Sequence, residues 1–241
     1  RISKNHFESL KNLEKYAKVT CCCDSVEERA INTTQLYHIK KYYTNYQEML
    51  NNEPLDLVSI CTPSGLHPEH GIMAAEKGFN VLTEKPMAIN IDDASRLIKA
   101  CDLNNVQLFV VKQNRLNATM QMLSKAIDKG RFGKIFMVQS NIFWQRPQSY
   151  YDSAKWRGTW EFDGGAFMNQ ASHYVDAMQW LFGPVDSVMA ETATMKRQIE
   201  AEDTGCAILK FRNGTIGTIN VTMLTYPKNF EGSITVLGEK G

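Results

Sequence analysis

Short apolar segments alternate with segments of helical periodicity through the first half of the chain, and this alternation restricts the fold more than any other feature. The apolar segments cover residues 18–23, 55–61, 81–83 and 107–111. Apolar side chains at helical spacing predict helices over residues 3–16, 25–37, 46–51, 67–77, 92–104 and 118–129. Strands that alternate with helices form βαβ units, so we expect an α/β fold with a Rossmann-type doubly wound parallel sheet.

The order of elements at the start of the chain is unusual for such a sheet. A doubly wound sheet normally begins with a strand and a glycine-rich turn that lead into the first helix. Here Arg1 already stands at the start of a predicted helix, with Ser3 as its N-cap. We therefore expect the first strand and the glycine turn to precede Arg1.

After Gly133 the alternation gives way to a run of strands around one helix. We predict a strand at 135–143, a helix at 165–182 and strands at 187–194, 205–211, 215–224 and 234–237. Asn213-Gly214 stands between two of these strands and is a strong hairpin signal. The second half is therefore predicted to be an α+β domain with a mostly antiparallel open sheet. The predicted domains are residues 1–117 and residues 118–241, the second of them incomplete at its C-terminal end.

Composition excludes several classes of protein. A formal net charge of +1 lacks the basic excess of a general nucleic-acid binder. No apolar run approaches the roughly 20 residues that a membrane helix needs, so we expect no membrane partner. The six cysteines include no CxxC pair, and three are adjacent at 21–23. That arrangement suits a buried strand in a reducing compartment better than a disulfide framework.

The carboxyl end of the predicted strand at 81–83 is the first candidate for a functional site. The strand stops on Glu84, Lys85 and Pro86. Ligands of open α/β sheets bind outside the carboxyl ends of strands, so Lys85 would stand where a ligand arrives. The proline removes a backbone donor and makes the turn rigid. A surface turn with a solvated Glu-Lys pair is the alternative, and the segment alone leaves both interpretations open.

Asp24 is a second candidate because it follows the predicted strand at 18–23. In dinucleotide-binding folds an acidic residue at this place accepts the ribose hydroxyls and disfavours a 2′-phosphate. Asp at a strand–helix junction can equally cap the helix, and the sequence does not choose between the two roles.

The predicted helix at 165–182 has two different faces. Its apolar stripe is made of Phe167, Ala171, Tyr174, Val175, Met178, Leu181 and Phe182. Asn169 and His173 fall on the other side, four residues apart, and would project together from successive turns. A functional pair facing Lys85 and a merely solvated polar face are both compatible with this pattern.

The loop from Trp144 to Trp160 concentrates aromatic and basic residues: Trp144, Tyr150, Tyr151, Trp156 and Trp160 with Arg146, Lys155 and Arg157. Guanidinium groups bind phosphate or carboxylate in bidentate fashion, and aromatic faces stack on rings. A nucleotide-linked or acidic sugar would suit such a loop, and subunit packing is the alternative. The His67-x-x-His70 pair lacks further ligands nearby, so no metal site is indicated.

With these residues assembled, the chain resembles the glucose–fructose oxidoreductase/inositol dehydrogenase/MocA family. The matching motifs are Cys61-Thr62-Pro63-Ser64-x-x-His67, Glu84-Lys85-Pro86 and Gly164-Gly165 followed by His173 and Asp176. Three further segments, 111–115, 155–160 and 167–173, resemble one branch of that family. That branch is the UDP-N-acetyl-2-amino-2-deoxy-D-glucuronate 3-dehydrogenases of bacterial surface-polysaccharide biosynthesis.

The resemblance implies a cytoplasmic, homotetrameric sugar dehydrogenase that uses NAD and assembles through its C-terminal sheet. It implies catalytic roles for Lys85 and His173 and substrate contacts from Lys85, Arg115, Asn169, Gln170 and His173. The cofactor-binding residues that it implies are Asp24, Thr62, Pro63, Ser64, His67, Glu84, Lys85, Gln113, Trp156 and Arg157. Many relatives have Asp where this chain has Asn169, and a neutral amide cannot stabilise an imidazolium as a carboxylate would.

The implied reaction is oxidation of the C3 hydroxyl of a UDP-linked amino-sugar uronate. Two alternatives remain from the sequence: a dehydrogenase of a free sugar or polyol of the inositol type, and a catalytically silent NAD-binding regulator.

Overall fold

The structure, a computed structural model, describes residues 2–241. The chain divides into two compact units. The first comprises the residues up to Thr62 together with His67–Glu84 and Asp92–Phe109. The second comprises Pro63–Leu66, Lys85–Ile91 and Val110–Gly241.

The first unit contains short parallel strands and the helices between them. Its elements are α1 (Ser3–Leu10), β1 (Cys21–Cys23), α2 (Glu27–Tyr37), β2 (Lys41–Tyr43), α3 (Tyr46–Asn52), β3 (Leu57–Ile60), α4 (His67–Glu76), β4 (Asn80–Thr83), α5 (Ile91–Leu103) and β5 (Leu108–Val110). β1 pairs with β2 in parallel, and β3, β4 and β5 form a separate sheet in which β3 and β4 are parallel. The predicted α/β class and parallel pairing are confirmed.

The core of the first unit lies between β3, β4 and the helices on them. Val58, Ile60 and Val81 are buried in the strands, and Leu97 of α5 is fully buried. A Cβ at Gly71 of α4 would lie 2.6 Å from a Leu97 methyl group. A side chain at position 71 would therefore displace the buried Leu97 side chain, and glycine lets α4 lie this close to α5 without that shift.

Several predicted boundaries in the first unit are wrong. α1 ends at Leu10 instead of residue 16, and its N-cap is Ile2, with Ser3 inside the helix. β1 covers only Cys21–Cys23, and these cysteines are half-buried instead of fully buried. β2 was not predicted, because its residues, Lys41-Tyr42-Tyr43, present no apolar run. All six cysteine thiols of the chain are free.

The second unit is built on one five-stranded sheet. Its elements are α6 (Ala118–Asp128), β6 (Ile135–Phe143), α7 (Gln148–Asp152), α8 (Gly165–Met168), α9 (Ser172–Phe182), β7 (Val185–Ala193), β8 (Thr204–Phe211), β9 (Ile216–Thr222) and β10 (Glu231–Gly238). The strand order is β10-β6-β9-β8-β7, with β6 and β9 parallel and the other pairs antiparallel. The mostly antiparallel sheet is confirmed, as is the β8–β9 hairpin, whose turn places Gly214 at φ +88°.

α9 packs one face of this sheet. Met178 is fully buried, and Tyr174, Leu181 and Phe182 join it in one cluster with buried strand residues such as Val138. Burying a side chain of this size contributes roughly 1.5–3 kcal/mol. This packing fixes α9 to the sheet and so fixes the position of the polar residues at its N-terminal end. Across residues 2–241, no helix combines the length and the apolar character needed to cross a membrane.

Candidate active site

The segment predicted as one helix over residues 165–182 is two helices. α8 ends at Met168 and α9 begins at Ser172, so Asn169 lies in the break between them. The Asn169 carbonyl accepts hydrogen bonds from the Lys85 ammonium and the Ser172 hydroxyl. Side-chain donors of this kind compete with the backbone amide that the carbonyl would accept from in a continuous helix. The prediction that Asn169 and His173 project from successive turns of one helix is therefore wrong.

Lys85 and Asn169 nevertheless meet in the second unit. The Lys85 ammonium donates to the Asn169 backbone oxygen at 2.8 Å and to its side-chain oxygen Oδ1 at 2.9 Å. An ammonium held by two acceptors of one residue has a fixed direction, because both bonds must keep good geometry. The carbonyl and amide oxygens of Asn169 thus anchor the end of the Lys85 side chain.

A buried carboxylate lies directly behind Asn169. Asp163, 1% exposed, accepts from the Asn169 side-chain amide with Oδ1 and from the Gly158 backbone amide with Oδ2, the latter at 2.7 Å. Burial raises the pKa of Asp163 above its usual value, and the bonds from Gly158 and Asn169 limit the rise. Sequence reasoning missed Asp163. Its only signal was its place before the Gly164-Gly165 pair, which indicates a turn and no partner.

His173 is the second residue of α9. Its Nε2 lies 3.4 Å from the Gln113 side-chain amide nitrogen. Gln113 opens a short 3-10 turn that ends at Leu116. The N-terminal end of α9 therefore combines an imidazole, an amide and, through Asn169, an ammonium, which is a set able to hold a hydroxyl group and take its proton.

Arg115 faces a carboxylate one turn further along α9. Its Nε and Nη2 donate to the two oxygens of Asp176, each at 2.7 Å. The Lys112 ammonium lies 4.0 Å from the same carboxylate. Burial lowers the pKa of Lys112, although Asp176 opposes this effect. The guanidinium fork of Arg115 is thus engaged with Asp176, and its predicted substrate contact stays a prediction.

A cavity of about 1060 Å³ opens beside these residues within the second unit. Its lining includes Pro86, Lys112, Gln113, Arg115, Ser172 and Asp176. Apolar side chains such as Val111, Phe167 and Val175 complete the wall. A mostly apolar cavity with a few converging polar groups is typical of a small-molecule site.

The aromatic and basic loop forms a stacked cluster in the same unit. The Arg157 guanidinium lies 4.1 Å from the centre of the Tyr150 ring and 4.9 Å from that of Trp156. Gln170 donates to the Tyr150 hydroxyl at 3.4 Å. Among the described residues, the buried Nε of Arg157 and Oε1 of Gln170 have no hydrogen-bond partner. Buried polar atoms of this kind are costly unless a ligand or water satisfies them.

The first unit holds four of the predicted cofactor residues at the carboxyl ends of its strands. Asp24 follows β1, and its Oδ1 accepts from the Val26 amide at 2.9 Å. Val26, and not Asp24, is the N-cap residue of α2, so the capping alternative for Asp24 is wrong. Thr62 follows β3; its hydroxyl bonds with Nδ1 of His70 at 3.1 Å and its carbonyl with Nε2 of the buried His67 at 2.9 Å.

The fourth of these residues, Glu84, follows β4 and faces α1. Its Oε1 lies 2.8 Å from Nε2 of His6, whose Nδ1 lies 3.0 Å from the Ser59 hydroxyl. Contacts with the Cys61 thiol and the Glu84 carboxylate raise the pKa of His6 to about 10. His6 was missed from the sequence, since a lone histidine on a short helix gives no signal of its partner. Polar side chains at strand ends fit a dinucleotide, which binds at this edge of a parallel sheet.

The predicted site residues are therefore divided between the units. Asp24, Thr62, His67 and Glu84 belong to the first unit, and Pro63, Ser64, Lys85, Gln113, Arg115, Trp156, Arg157, Asn169, Gln170 and His173 to the second. Within residues 2–241, no group of three or more His, Cys, Asp or Glu side chains is placed to hold a metal ion.

Two family descriptions match the chain. Residues 1–112 match "Oxidoreductase family, NAD-binding Rossmann fold", and residues 120–241 match "GFO/IDH/MocA C-terminal domain".

Two solved structures are similar over 99% of the chain, each with a TM-score of 0.97. The WlbA dehydrogenase of Bordetella pertussis, in complex with NADH and UDP-GlcNAcA, is 54% identical, and the match covers 73% of it. That of Chromobacterium violaceum, with the same two molecules, is 53% identical over 69% of its length. A curated relative, the D-apiose dehydrogenase of Paraburkholderia graminis, is 25% identical over 91% of the chain, which spans 57% of that relative's length.

Proposed function

We propose a function for this chain from the premise that it belongs to the GFO/IDH/MocA family of NAD-binding oxidoreductases. Its reaction is the NAD-dependent oxidation of the C3 hydroxyl of UDP-N-acetyl-2-amino-2-deoxy-D-glucuronate to the 3-keto sugar. The observation that carries this proposal is the Lys85 ammonium anchored on Asn169, at the end of α9 that bears His173. The similarity at 54% identity to a dehydrogenase solved with NADH and UDP-GlcNAcA supports the choice of substrate.

Oxidation of a ring hydroxyl removes a hydride from carbon and a proton from oxygen. NAD, when bound, supplies the acceptor for the hydride. Lys85 and His173 orient the hydroxyl by hydrogen bonds and take up its proton, since the carbonyl forms only if that proton leaves. Lys85 accepts the proton as the neutral amine, which keeps two N–H groups for the two Asn169 oxygens and has a lone pair for the hydroxyl. Asn169 holds Lys85 in place through its two oxygens.

Each unit has its own set of residues proposed for the cofactor. In the first unit, Asp24 would accept the adenosine ribose hydroxyls, and Thr62, His67 and Glu84 would line the strand ends. In the second unit, the residues proposed for the cofactor are Pro63, Ser64, Lys85, Gln113, Trp156 and Arg157. Arg115, Asn169, Gln170, Lys85 and His173 are proposed to contact the sugar nucleotide. The unpartnered buried atoms of Arg157 and Gln170 support polar ligand contacts in the second unit.

The wider setting is part of the same proposal. The reaction serves surface-polysaccharide biosynthesis in the cytoplasm, the domain boundary falls between residues 117 and 118, and the chain assembles as a homotetramer through its C-terminal sheet. Cross-strand partners Met189 and Ile208 of that sheet are 74% and 53% exposed, which supports burial by another copy.

Substitution of the two proposed proton acceptors tests the mechanism. We expect Lys85→Ala and His173→Ala each to lower kcat by roughly 10²- to 10⁴-fold in a nicotinamide absorbance assay with the UDP-sugar. Lys129→Ala, which removes an exposed lysine of the same unit, serves as the control and should keep wild-type turnover. Near-normal turnover in both site variants would show that this assignment is wrong.

A free-sugar dehydrogenase is the second candidate, and the similarity to the D-apiose dehydrogenase favours it. A substrate panel with and without the UDP group separates the two. Turnover of the UDP-linked uronate alone supports the first proposal, whereas equal or better turnover of free sugars or inositols supports the second. Absence of any single-turnover absorbance change, with NAD still bound, would indicate the catalytically silent regulator.

A further inference from the structure

Asp163 determines which way the Asn169 amide faces. An ionised carboxylate can only accept hydrogen bonds. Both Asp163 oxygens accept an N–H, one from the Gly158 backbone and one from the Asn169 side chain. The two N–H groups therefore favour the ionised form, in which both oxygens are acceptors only.

The orientation of Asn169 follows from the donors and acceptors on its two sides. Its amide nitrogen must face Asp163, and its Oδ1 must then face the opposite way, where it accepts from the Lys85 ammonium at 2.9 Å. If the amide were turned over, its oxygen would meet the Asp163 carboxylate and its nitrogen would meet the ammonium. Both contacts would be repulsive, and both groups are at least partly buried, which makes such mismatches costly.

We propose that Asp163 is a positioning residue: it fixes the orientation of the Asn169 amide and thereby holds the Lys85 ammonium in its place at the site. The loop around Asp163 suits this role. The backbone amides of Asp163 and Gly164 both donate to the Thr159 carbonyl, so the Asp163 carboxylate cannot move freely. Gly158, at φ +71°, offers its amide to Asp163 from a backbone conformation that favours glycine.

Exchange of the Asp163 and Asn169 side chains tests whether their hydrogen-bond donors and acceptors, and not only their packing, hold Lys85 in place. In Asp163→Asn the new amide must keep its oxygen on the Gly158 amide, so its nitrogen faces the Asn169 nitrogen. Asn169 can then escape only by turning its nitrogen towards Lys85. In the double variant Asp163→Asn/Asn169→Asp the same new nitrogen meets a carboxylate, whose other oxygen accepts from Lys85. The exchange therefore restores every donor–acceptor contact with nearly unchanged volume.

Two measurements report whether Lys85 is still held in place in these variants. The first is the rate of reductive methylation of Lys85 by formaldehyde and dimethylamine borane, measured by peptide mass spectrometry. The second is kcat and KM with the UDP-linked uronate, which rests on the proposed function. In Asp163→Asn we expect Lys85 to react about tenfold faster and kcat to fall roughly 10- to 100-fold. The exchanged double variant should recover both to within a fewfold of wild type.

Asp186→Asn, which removes an exposed aspartate of the same unit, is the matched control and should alter neither readout. Wild-type Lys85 reactivity in Asp163→Asn, or no recovery in the double variant, would overturn the positioning role. Should Asp163→Asn fail to fold, Asn169→Asp replaces it, because it sets two carboxylates against each other. Lys85 must then be methylated more slowly in the double variant than in Asn169→Asp. Equal methylation rates in these two variants would overturn the positioning role of Asp163. If the wild-type protein does not turn over the UDP-linked uronate but the methylation rates are as expected, the proposed function is wrong and the positioning role of Asp163 stands.

Discussion

The His6–Glu84 pair gives the first unit a stability that depends on pH. It joins α1 to the carboxyl end of β4, with side chains 16% and 7% exposed and 2.8 Å between Nε2 and Oε1. Because the pKa of His6 rises from 6.5 to about 10 on folding, the folded state binds the proton more tightly than the unfolded state. Its contribution to stability is fully present below pH 6.5 and is lost as the pH rises through about 10.

The size of this contribution follows from the same shift. A pKa shift of this extent sets an upper limit of about 5 kcal/mol on the contribution of His6 to the free energy of unfolding. The largest cause of the rise in the His6 pKa is the contact with the Cys61 thiol, with the Glu84 carboxylate second, and the imidazole is partly exposed. We therefore expect about 2 kcal/mol, the value of one charge-assisted hydrogen bond in a half-buried place. His6→Gln should lower the free energy of unfolding by this amount at pH 6.5 and by only a small fraction of it near pH 9.5.

The assay must report on the first unit. All four tryptophans lie between residues 144 and 180, in the second unit, so tryptophan fluorescence is unsuitable. Hydrogen–deuterium exchange of the β3 and β4 amides, measured at pH 6.5, 8 and 9.5, follows the right unit. His38→Asn removes an exposed histidine of the same unit and should show no pH-dependent difference. A His6→Gln effect that stays constant from pH 6.5 to 9.5 would show that the protonated His6–Glu84 pair is not its cause, because a loss of packing does not titrate.

Two further predictions concern the second unit, where tryptophan fluorescence does report unfolding. Gly165→Ala should destabilise it by at least about 2 kcal/mol, because a Cβ would overlap the buried Glu202 carboxylate and φ is +81°. The control Gly130→Ala, at φ +64° with open space around it, should cost only about 1 kcal/mol, and equal costs would contradict the overlap. Asp203→Asn should cost about 2 kcal/mol at neutral pH in urea unfolding, because Asp203 accepts from the amides of residues 195–197. Burial alone would raise the pKa of Asp203, but the hydrogen bonds from those amides outweigh burial and lower the pKa below 3.8. The difference in stability between Asp203→Asn and wild type should therefore vanish as the pH falls through that lowered pKa. A difference that persists in acid would contradict this assignment.

Most of the architecture follows from local signals in the sequence. Apolar runs of strand length between helical segments predicted the parallel strands of the first unit, and Asn213-Gly214 predicted the β8–β9 hairpin. Lys85 and His173 could be named as candidates from a strand ending, a helix face and a family resemblance. The strand ending and the helix face each lie within a window of a few residues, where chain geometry relates neighbouring side chains.

How the site residues are held depends on contacts that form only when the chain folds. The helix breaks at Asn169 because donors from Lys85, 84 residues away, and from Ser172 take its carbonyl. His6 meets Glu84 across 78 residues. Asp163 lies only six residues from Asn169, yet the turn that brings them together is set by contacts with the Thr159 carbonyl and the Gly158 amide. Periodicity carries no information about such partners, because a hydrogen bond depends on where folding places two groups in space.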